Sequence, residues 1–141
     1  MTERTVTLSG HVANPGKLTR QTLERLPSYV GDLESVSEGA VGAGVRIADI
    51  VSVAGPEADA AHCTVISADR SYRASVPLSQ LVGGGWLATS LDGAPLPVAR
   101  GGPFRLTVAD GTTLCWNVKD VGEFRFTVDR EPDSVPENPP H

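Results

Sequence analysis

Residues 44–56 read GVRIADIVSVAGP, an apolar pattern with the spacing of a helix. Its apolar positions recur every three or four residues, as on one face of a helix, at Val45, Ile47, Ile50, Val51 and Ala54. Gly55 and Pro56 end the pattern, because glycine favours the left-handed cap and proline cannot continue a helix. The stretch therefore predicts a helix over Arg46–Ala54 that faces a core.

The segments on either side are short, because 15 glycines and 11 prolines divide the 141 residues. Before this helix we predict a strand over Thr5–Val12, a turn at residues 14–16, a helix from an N-capping Thr19 to Leu26, and an extended segment over Tyr29–Val36. After it we predict a run of strands: His62–Ser67, Tyr72–Val76, Trp86–Leu91, Phe104–Ala109, Thr113–Trp116 and Glu123–Val128. Two Asp-Gly pairs, at 92–93 and 110–111, supply turns.

These elements predict a single α+β domain with a mixed, curved sheet arrangement and a few short helices. A chain of 14.8 kDa has room for one such domain. The predicted core comprises Leu8, Leu23, Leu26, Ile47, Ile50, Val51, Val65, Leu78, Leu81, Leu87, Leu96, Leu106, Val108, Val118 and Phe126.

The C-terminal residues differ from the rest in composition. Residues 129–141 read DREPDSVPENPPH, with four prolines, several acids and almost no apolar side chain. Too little apolar surface is present to offset the entropy of ordering such a segment. We therefore expect a folded domain over residues 1–128 and a disordered acidic tail over 129–141, with no packing from about Glu131 onward.

The charge balance argues against several classes of partner. Twelve Lys and Arg against 17 Asp and Glu give a net charge of −5, whereas nucleic-acid binding through counterion release needs a basic face. No apolar run approaches the roughly 18 residues of a membrane span. The first ten residues, MTERTVTLSG, lack the apolar region of a signal peptide. We expect a cytoplasmic domain that binds neither nucleic acid nor membrane.

Sequence motifs for catalysis are few. The chain contains no GxSxG, HExxH or Walker A motif. Gly83–Gly85 lacks the lysine and the helix start of a phosphate-binding loop, so we expect a plain loop there. Cys63 and Cys115 have no CxxC spacing, which predicts buried, reduced thiols in separate strands. His11 and His62 have no neighbouring carboxylate or serine in the sequence, and we expect structural roles for them.

Several segments occur in the order found in one known family. The 44–56 stretch resembles the GVxLxDLLxxAGP element of the sulfite-oxidase-type, molybdopterin-binding oxidoreductase domain. Four further segments are similar to its DGYxxSxPL, NGxPLP, GGPxRLVV and SVKW elements, namely ADRSYRASVPL at 68–78, LDGAPLP at 91–97, RGGPFRL at 100–106 and NVK at 117–119. Residues 8–15 and 18–27 are similar to its opening element. The resemblance spans about residues 5–128 and implies this family's fold.

The resemblance also implies three cofactor-binding residues, Arg46, Arg105 and Lys119. In the resembling enzymes the lysine and its neighbouring backbone lie at the pterin and its phosphate. Arg105 alternates with two apolar neighbours, so its side chain points away from theirs, toward either an anion or an acid such as Asp69. The alternative for Lys119 is an ordinary solvated surface lysine.

The sequence departs from the family at the metal. The resembling enzymes ligate molybdenum with a cysteine thiolate before the 44–56 helix, whereas residues 30–43 contain no cysteine and offer only Ser35 and Ser37. Thr89 stands in place of a tyrosine beside the metal, and Asp92 in place of an asparagine. The substrate arginine of a CxGNRR-like run and the Arg-Asn-His segment that grips the pterin have no counterpart.

Two hypotheses from different classes follow. The favoured one is a module that has kept this fold without its molybdenum site and binds an unknown small ligand or protein partner, with no cofactor and no catalytic residue. We then expect no convergent soft ligands around residues 35–39 and the nearby Trp86, Thr89 and Asp92, and no cysteine pointing there. The alternative is a molybdopterin-dependent oxidoreductase in which an atypical ligand replaces the cysteine.

Overall fold

A computed structural model describes residues 4–36, 40, 42–108 and 117–131. The helices and strands in chain order are β1 (Thr5–Gly10), β2 (Gly16–Thr19), α1 (Arg20–Glu24), β3 (Ala43–Arg46), α2 (Ile47–Ala54), β4 (His62–Ser67), β5 (Arg73–Pro77), α3 (Leu78–Gly84), β6 (Gly85–Leu91), β7 (Ala94–Pro95), β8 (Arg105–Val108) and β9 (Val121–Thr127). Single 3-10 turns occur at Leu33–Ser35 and Val98–Arg100. No helix in these described ranges is long and apolar enough to cross a bilayer.

The strands form two sheets. The larger has the order β2-β1-β9-β4-β5, and in it β1 and β9 are parallel while the other neighbours are antiparallel. The smaller is built on β6, which pairs antiparallel with β3, β7 and β8. Short helices and mixed sheets in one domain confirm the predicted α+β class.

A main core contains side chains from both sheets and from all three helices. Its largest fully buried side chains include Phe104, Phe124 and Phe126. The predicted core residues are buried except Leu26, Val51 and Leu78, which are partly buried and pack against the core.

A smaller apolar cluster lies on the outer face of β6. Alternation along the strand places Trp86 and Ala88 on the face opposite Leu87, which belongs to the main core. Leu33 and Leu96, from two loops, cover Trp86 and Ala88. These loops belong to the segments that surround the candidate site.

The two predicted helices exist but are shorter than expected. Thr19 caps α1, since its hydroxyl accepts from the backbone N–H of Thr22 at 3.1 Å; the helix ends at Glu24, two residues before the predicted end. The second helix begins one residue late, because β3 pairs with β6 through Arg46. Gly55, with φ +61, ends it in the predicted left-handed conformation.

Two segments were predicted wrongly. Tyr29–Val36 is not a strand, because after one bridge from Val30 to Gly44 the Asp32 carboxylate accepts from the Glu34 N–H and starts a 3-10 turn. Gly83–Gly85 is not a loop, since it contains the end of α3 and the start of β6.

Glycine ends α3 because the chain is crowded there. A Cβ on Gly85 would lie 2.8 Å from Cγ1 of Ile47 in α2. The close approach of α2 to Gly85, where α3 ends and β6 begins, therefore requires a residue without a side chain.

The strand predictions otherwise hold to within two residues at each end. Asp92 and Gly93 form the predicted turn, with φ values of +53 and +81. Three short strands, β2, β3 and β7, were not predicted; β2 pairs with β1 as a hairpin, and β3 and β7 pair with β6. The predicted turn at 110–111 and strand at Thr113–Trp116 lie outside the described residues.

The start of the C-terminal segment differs from its expectation. Glu131 contacts the larger sheet, where its backbone N–H donates to the Ser75 hydroxyl at 3.1 Å. The partners of this residue on the sheet are polar side chains, which the composition of the segment did not indicate. The rest of the predicted tail, residues 132–141, lies outside the described residues.

Candidate functional site

Strand register places two of the three predicted residues on one face of the smaller sheet. Arg46 is directly opposite Trp86, and Arg105 is directly opposite Ala88. Directly paired residues project from the same face, so Arg46 and Arg105 both lie on the outer face of β6. Two strand spacings and two residues separate them, which puts their Cα atoms roughly 10–12 Å apart.

Arg105 and Lys119 converge over one glycine. A Cβ added to Gly101 would lie 2.9 Å from Cδ of Arg105 and 3.1 Å from Cγ of Lys119. Gly101 has φ +87, and its carbonyl accepts from the Asp120 N–H at 2.8 Å, which ties its loop to the residue after Lys119. We call Gly101, Arg105 and Lys119 the cationic corner.

The backbone approaches itself closely at Gly102, next to this corner. A Cβ on Gly102 would overlap the Leu96 carbonyl, and the Gly102 N–H donates to Pro97 at 2.9 Å. Glycine is therefore required for this packing. The tight loop fixes where β8, and with it Arg105, begins.

The two cations of the corner have no acidic partner in the part of the chain that the structure describes. Neither Arg105 nor Lys119 forms an ion pair with a carboxylate of the residues that the structure describes. Within the described ranges, the Arg105 guanidinium makes one long contact, 3.4 Å from Nη1 to the Arg100 carbonyl, and its Nε is buried without a hydrogen-bond partner. A buried donor without a partner is costly, so this corner favours an added acceptor. Contact between Arg105 and Asp69, one of the two predicted alternatives, is not formed.

A cavity of about 440 Å³ opens beside Lys119, lined by Ser67, Asp69, Ser71, Tyr72, Asn117, Lys119 and Asp120. Asp120 pairs with Arg4 at 2.6 Å. Asp69 accepts hydrogen bonds from the backbone and hydroxyl of Ser71 and from the Ser67 hydroxyl, which lower the pKa of its carboxyl to about 2. Lys119 therefore brings to this cavity a positive charge that no described acid neutralises.

Arg46 lies apart from the cationic corner. Its guanidinium stacks on the Trp86 ring, 5.1 Å from the ring centre, and the residue is exposed. A cation held over an indole face is stabilised without an acid. The structure thus brings two of the three predicted residues together and leaves the third across β6.

Thr89 and Ser35, two of the residues that the resemblance sets in place of groups at the metal, each form a hydrogen bond with another part of the chain. Thr89 is fully buried and donates to the Glu24 carboxylate at 3.1 Å, on the face of β6 opposite Trp86. The Ser35 hydroxyl donates to the Asp32 carbonyl at 2.7 Å. Throughout the described ranges, no three His, Cys, Asp or Glu side chains form a group that could hold a metal. Ser37 and its neighbours at 38 and 39 lie outside those ranges.

The thiol of Cys63 points away from this region. Cys63 is fully buried in the main core on β4, and burial raises the pKa of its thiol. This confirms the expectation of a buried thiol for Cys63, while Cys115 lies outside the described residues. His11 contacts the Asp59 carboxylate and His62 contacts the Val128 carbonyl, each a partner from a distant segment of the chain.

Sequence reasoning missed two features of the site. It did not place Arg105 beside Lys119, although a glycine pair before an arginine was a signal that backbone and side chains approach closely there. It also did not predict Glu24 as the partner of Thr89, because α1 and β6 are 65 residues apart in the chain. No local pattern indicates such a contact.

Comparison with known proteins agrees with this architecture. The sequence matches the model of the oxidoreductase molybdopterin binding domain over residues 2–135. The crystal structure of the sulfane dehydrogenase SoxCD from Paracoccus pantotrophus has a similar fold, with a TM-score of 0.70 at 20% identity. The similarity covers 90% of this chain and 39% of that one. No curated protein sequence matches significantly. Because the family model spans nearly the whole chain, the protein belongs to the oxidoreductase molybdopterin binding domain family.

Proposed function

We propose that this domain binds a small anionic ligand at the cationic corner and does so without a molybdenum site. The observation that supports this most strongly is the buried Arg105 Nε, which has no hydrogen-bond partner among the described residues and whose side chain meets that of Lys119 over Gly101. The stems of two cationic side chains approach the same glycine, and an anion bound between their charged ends would be attracted by both. An anion also supplies the acceptor that Arg105 lacks.

The residues fit one end of the family's cofactor and not the other. A phosphate or similar anion suits Arg105 and Lys119, since arginine and lysine are the usual phosphate-binding side chains. The metal end needs a soft, anionic ligand, and Thr89 and Ser35 are instead hydrogen-bonded to other groups of the chain. We therefore derive no redox step for this domain and assign its chemistry to binding.

The adjoining cavity suggests where the rest of such a ligand lies. Lys119 belongs both to the corner and to the cavity, so an anion at the corner would direct the body of the ligand toward Tyr72 and Asn117. A volume of about 440 Å³ is within the range of pockets for small molecules. Arg46 would reach only a ligand long enough to span β6.

Titration with pyrophosphate tests the proposal. We expect binding measurable by calorimetry, and a loss of about tenfold to a hundredfold in affinity for R105A and for K119A, as for losing one hydrogen bond to a charged group. R46A should bind like wild type, because Arg46 lies across β6. K17A is the matched control for K119A, since Lys17 is an exposed lysine on the other sheet. Equal affinity of K119A and K17A would contradict the proposal.

The alternative function is a molybdopterin-dependent oxidoreductase with an atypical metal ligand, which family membership supports. Elemental analysis and a visible spectrum of the purified protein distinguish the two. Molybdenum near one atom per chain would favour the oxidoreductase and overturn the proposed absence of a metal site. In that case R105A and K119A should lose molybdenum together with pyrophosphate affinity.

A further inference from the structure

A row of polar residues crosses the outer face of the larger sheet. Ser9 of β1 pairs with Arg125 of β9, Arg125 with Thr64 of β4, and Thr64 with Ser75 of β5. Directly paired residues share a face, and Thr64 lies between two inward-facing core residues of β4. The row therefore projects away from the main core.

Two hydroxyls of this row are buried although they lie outside the core. Thr64 is 0% exposed and Ser75 is 2% exposed. Buried hydroxyls need hydrogen-bond partners. Glu131 supplies both, because the Thr64 hydroxyl donates to its carboxylate at 2.7 Å and its backbone N–H donates to the Ser75 hydroxyl at 3.1 Å.

The Glu131 carboxylate also pairs with the positive charge of Arg125 in this row. Oε1 of Glu131 lies 3.3 Å from Nε of Arg125. The other acid on this face, Glu123, is engaged by the Arg70 guanidinium and by the Ser9 hydroxyl. Within the described ranges, Nε and Nη2 of Arg125 are both buried without a hydrogen-bond partner, so Glu131 meets Arg125 as an ion pair and not through a hydrogen bond. Removing Glu131 would take away the one described carboxylate within ion-pair distance of this partly buried cation.

We propose that Arg125 and Thr64 form a carboxylate-binding site on the outer face of the larger sheet, that its ligand is Glu131 of the same chain, and that Ser75 holds the backbone N–H of that ligand. The contact anchors the C-terminal segment against β5, the outermost strand at this end of the sheet. An uncovered edge strand is open to pairing with other chains, and proteins commonly protect such edges with another segment. The site is thus an intramolecular anchor on the sheet opposite the one that forms the cationic corner.

Limited trypsin digestion of the full chain tests the anchor at the Arg130–Glu131 bond. Cleavage of a folded protein at such a bond follows the population of the released segment. We expect wild type to be cut at least about tenfold more slowly than a synthetic peptide of residues 126–136, as for one hydrogen bond to a charged group. T64V keeps the shape of the side chain and removes the donor, so we expect cleavage several-fold faster than in wild type.

T7V is the matched control. Thr7 lies on the same face, one row away, and its hydroxyl forms no hydrogen bond with the described residues. We expect T7V to be cut like wild type. E131Q is a second variant, and it leaves the residues of the sheet unchanged. Its cleavage rate divided by that of a peptide with the same substitution should be higher than the cleavage rate of wild type divided by that of the wild-type peptide.

Two results would overturn the anchor: wild type cut at the rate of its peptide, or equal rates for T64V and T7V when circular dichroism shows both folded. If T64V does not fold, the ratio measured for E131Q decides, and no increase over wild type rejects the proposal. Pyrophosphate affinity should be unchanged in E131Q, so this test and that of the cationic corner succeed or fail separately.

Discussion

Replacing Gly101 by alanine would test whether the two cations of the corner meet as described. Its φ of +87 costs an alanine roughly 1–2 kcal/mol of folding free energy. The new Cβ would lie 2.9 Å from Arg105 Cδ and 3.1 Å from Lys119 Cγ. The flexible Arg105 and Lys119 side chains can move away from the new methyl group, so we expect the loss of stability to come from the strained backbone. The displacement of these two cations should in addition weaken ligand binding.

Two other glycines separate these effects. Gly93 has φ +81 and nothing within 4 Å of an added Cβ, so G93A carries the backbone cost alone. Gly31 has neither a positive φ nor a close neighbour, so G31A should cause neither backbone strain nor a displaced side chain. At roughly 3–5 °C per kcal/mol for a domain of this size, G101A and G93A should both lower Tm by roughly 3–10 °C, and G31A should change it little.

The decisive measurement is the affinity of these folded variants for pyrophosphate. We expect G101A to bind about tenfold more weakly than wild type, because one displaced cation costs about one hydrogen bond to a charged group. G93A and G31A should bind like wild type. If G101A binds as tightly as G93A, then Arg105 and Lys119 do not act together over Gly101, and our account of the corner is wrong.

Three further predictions concern single groups. T89V should lower the free energy of unfolding by about 1 kcal/mol in urea denaturation, because Glu24 loses its buried donor; no change would show that this hydrogen bond does not form. Asp69 has a folded pKa of about 2, below its unfolded value, so its stabilisation is full above pH 4 and is lost as pH falls toward 2. D69N should therefore differ from wild type in stability at pH 5 and converge with it at pH 2, and an NMR titration midpoint near 4 would contradict this. The Cys63 thiol, buried and with a raised pKa, should resist maleimide at pH 8 until the protein unfolds, as peptide mass mapping can show.

The sequence was most informative where local chemistry determines structure. The Thr19 cap, the Gly55 helix end and the turn at 92–93 each depend on one or two residue types, and all three are present as predicted. Alternation also placed Arg105 opposite its apolar neighbours, Phe104 and Leu106, as the structure confirms. These features needed no knowledge of distant partners.

The sequence was least informative where partners come from distant segments. Gly83–Gly85 looks like a loop in isolation, and only packing against α2 explains a helix end there. Glu131 lies in a segment of low apolar content, and its contacts are with β4, β5 and β9. The proximity of Arg105 and Lys119 likewise depends on the loop at Gly101, and a backbone hydrogen bond from Asp120 to Gly101 fixes that loop.

The position of β9 in the larger sheet has a consequence for how the chain folds. This strand lies between β1 and β4, and its parallel register joins Leu8 to Phe124 across almost the whole sequence. Pairing of such distant segments must close a long loop before any contact repays that entropy, which slows folding. During synthesis, β1 and β4 emerge from the ribosome long before the strand that separates them. We therefore expect the larger sheet to form late, with the β1–β2 and β4–β5 hairpins waiting for β9 to insert.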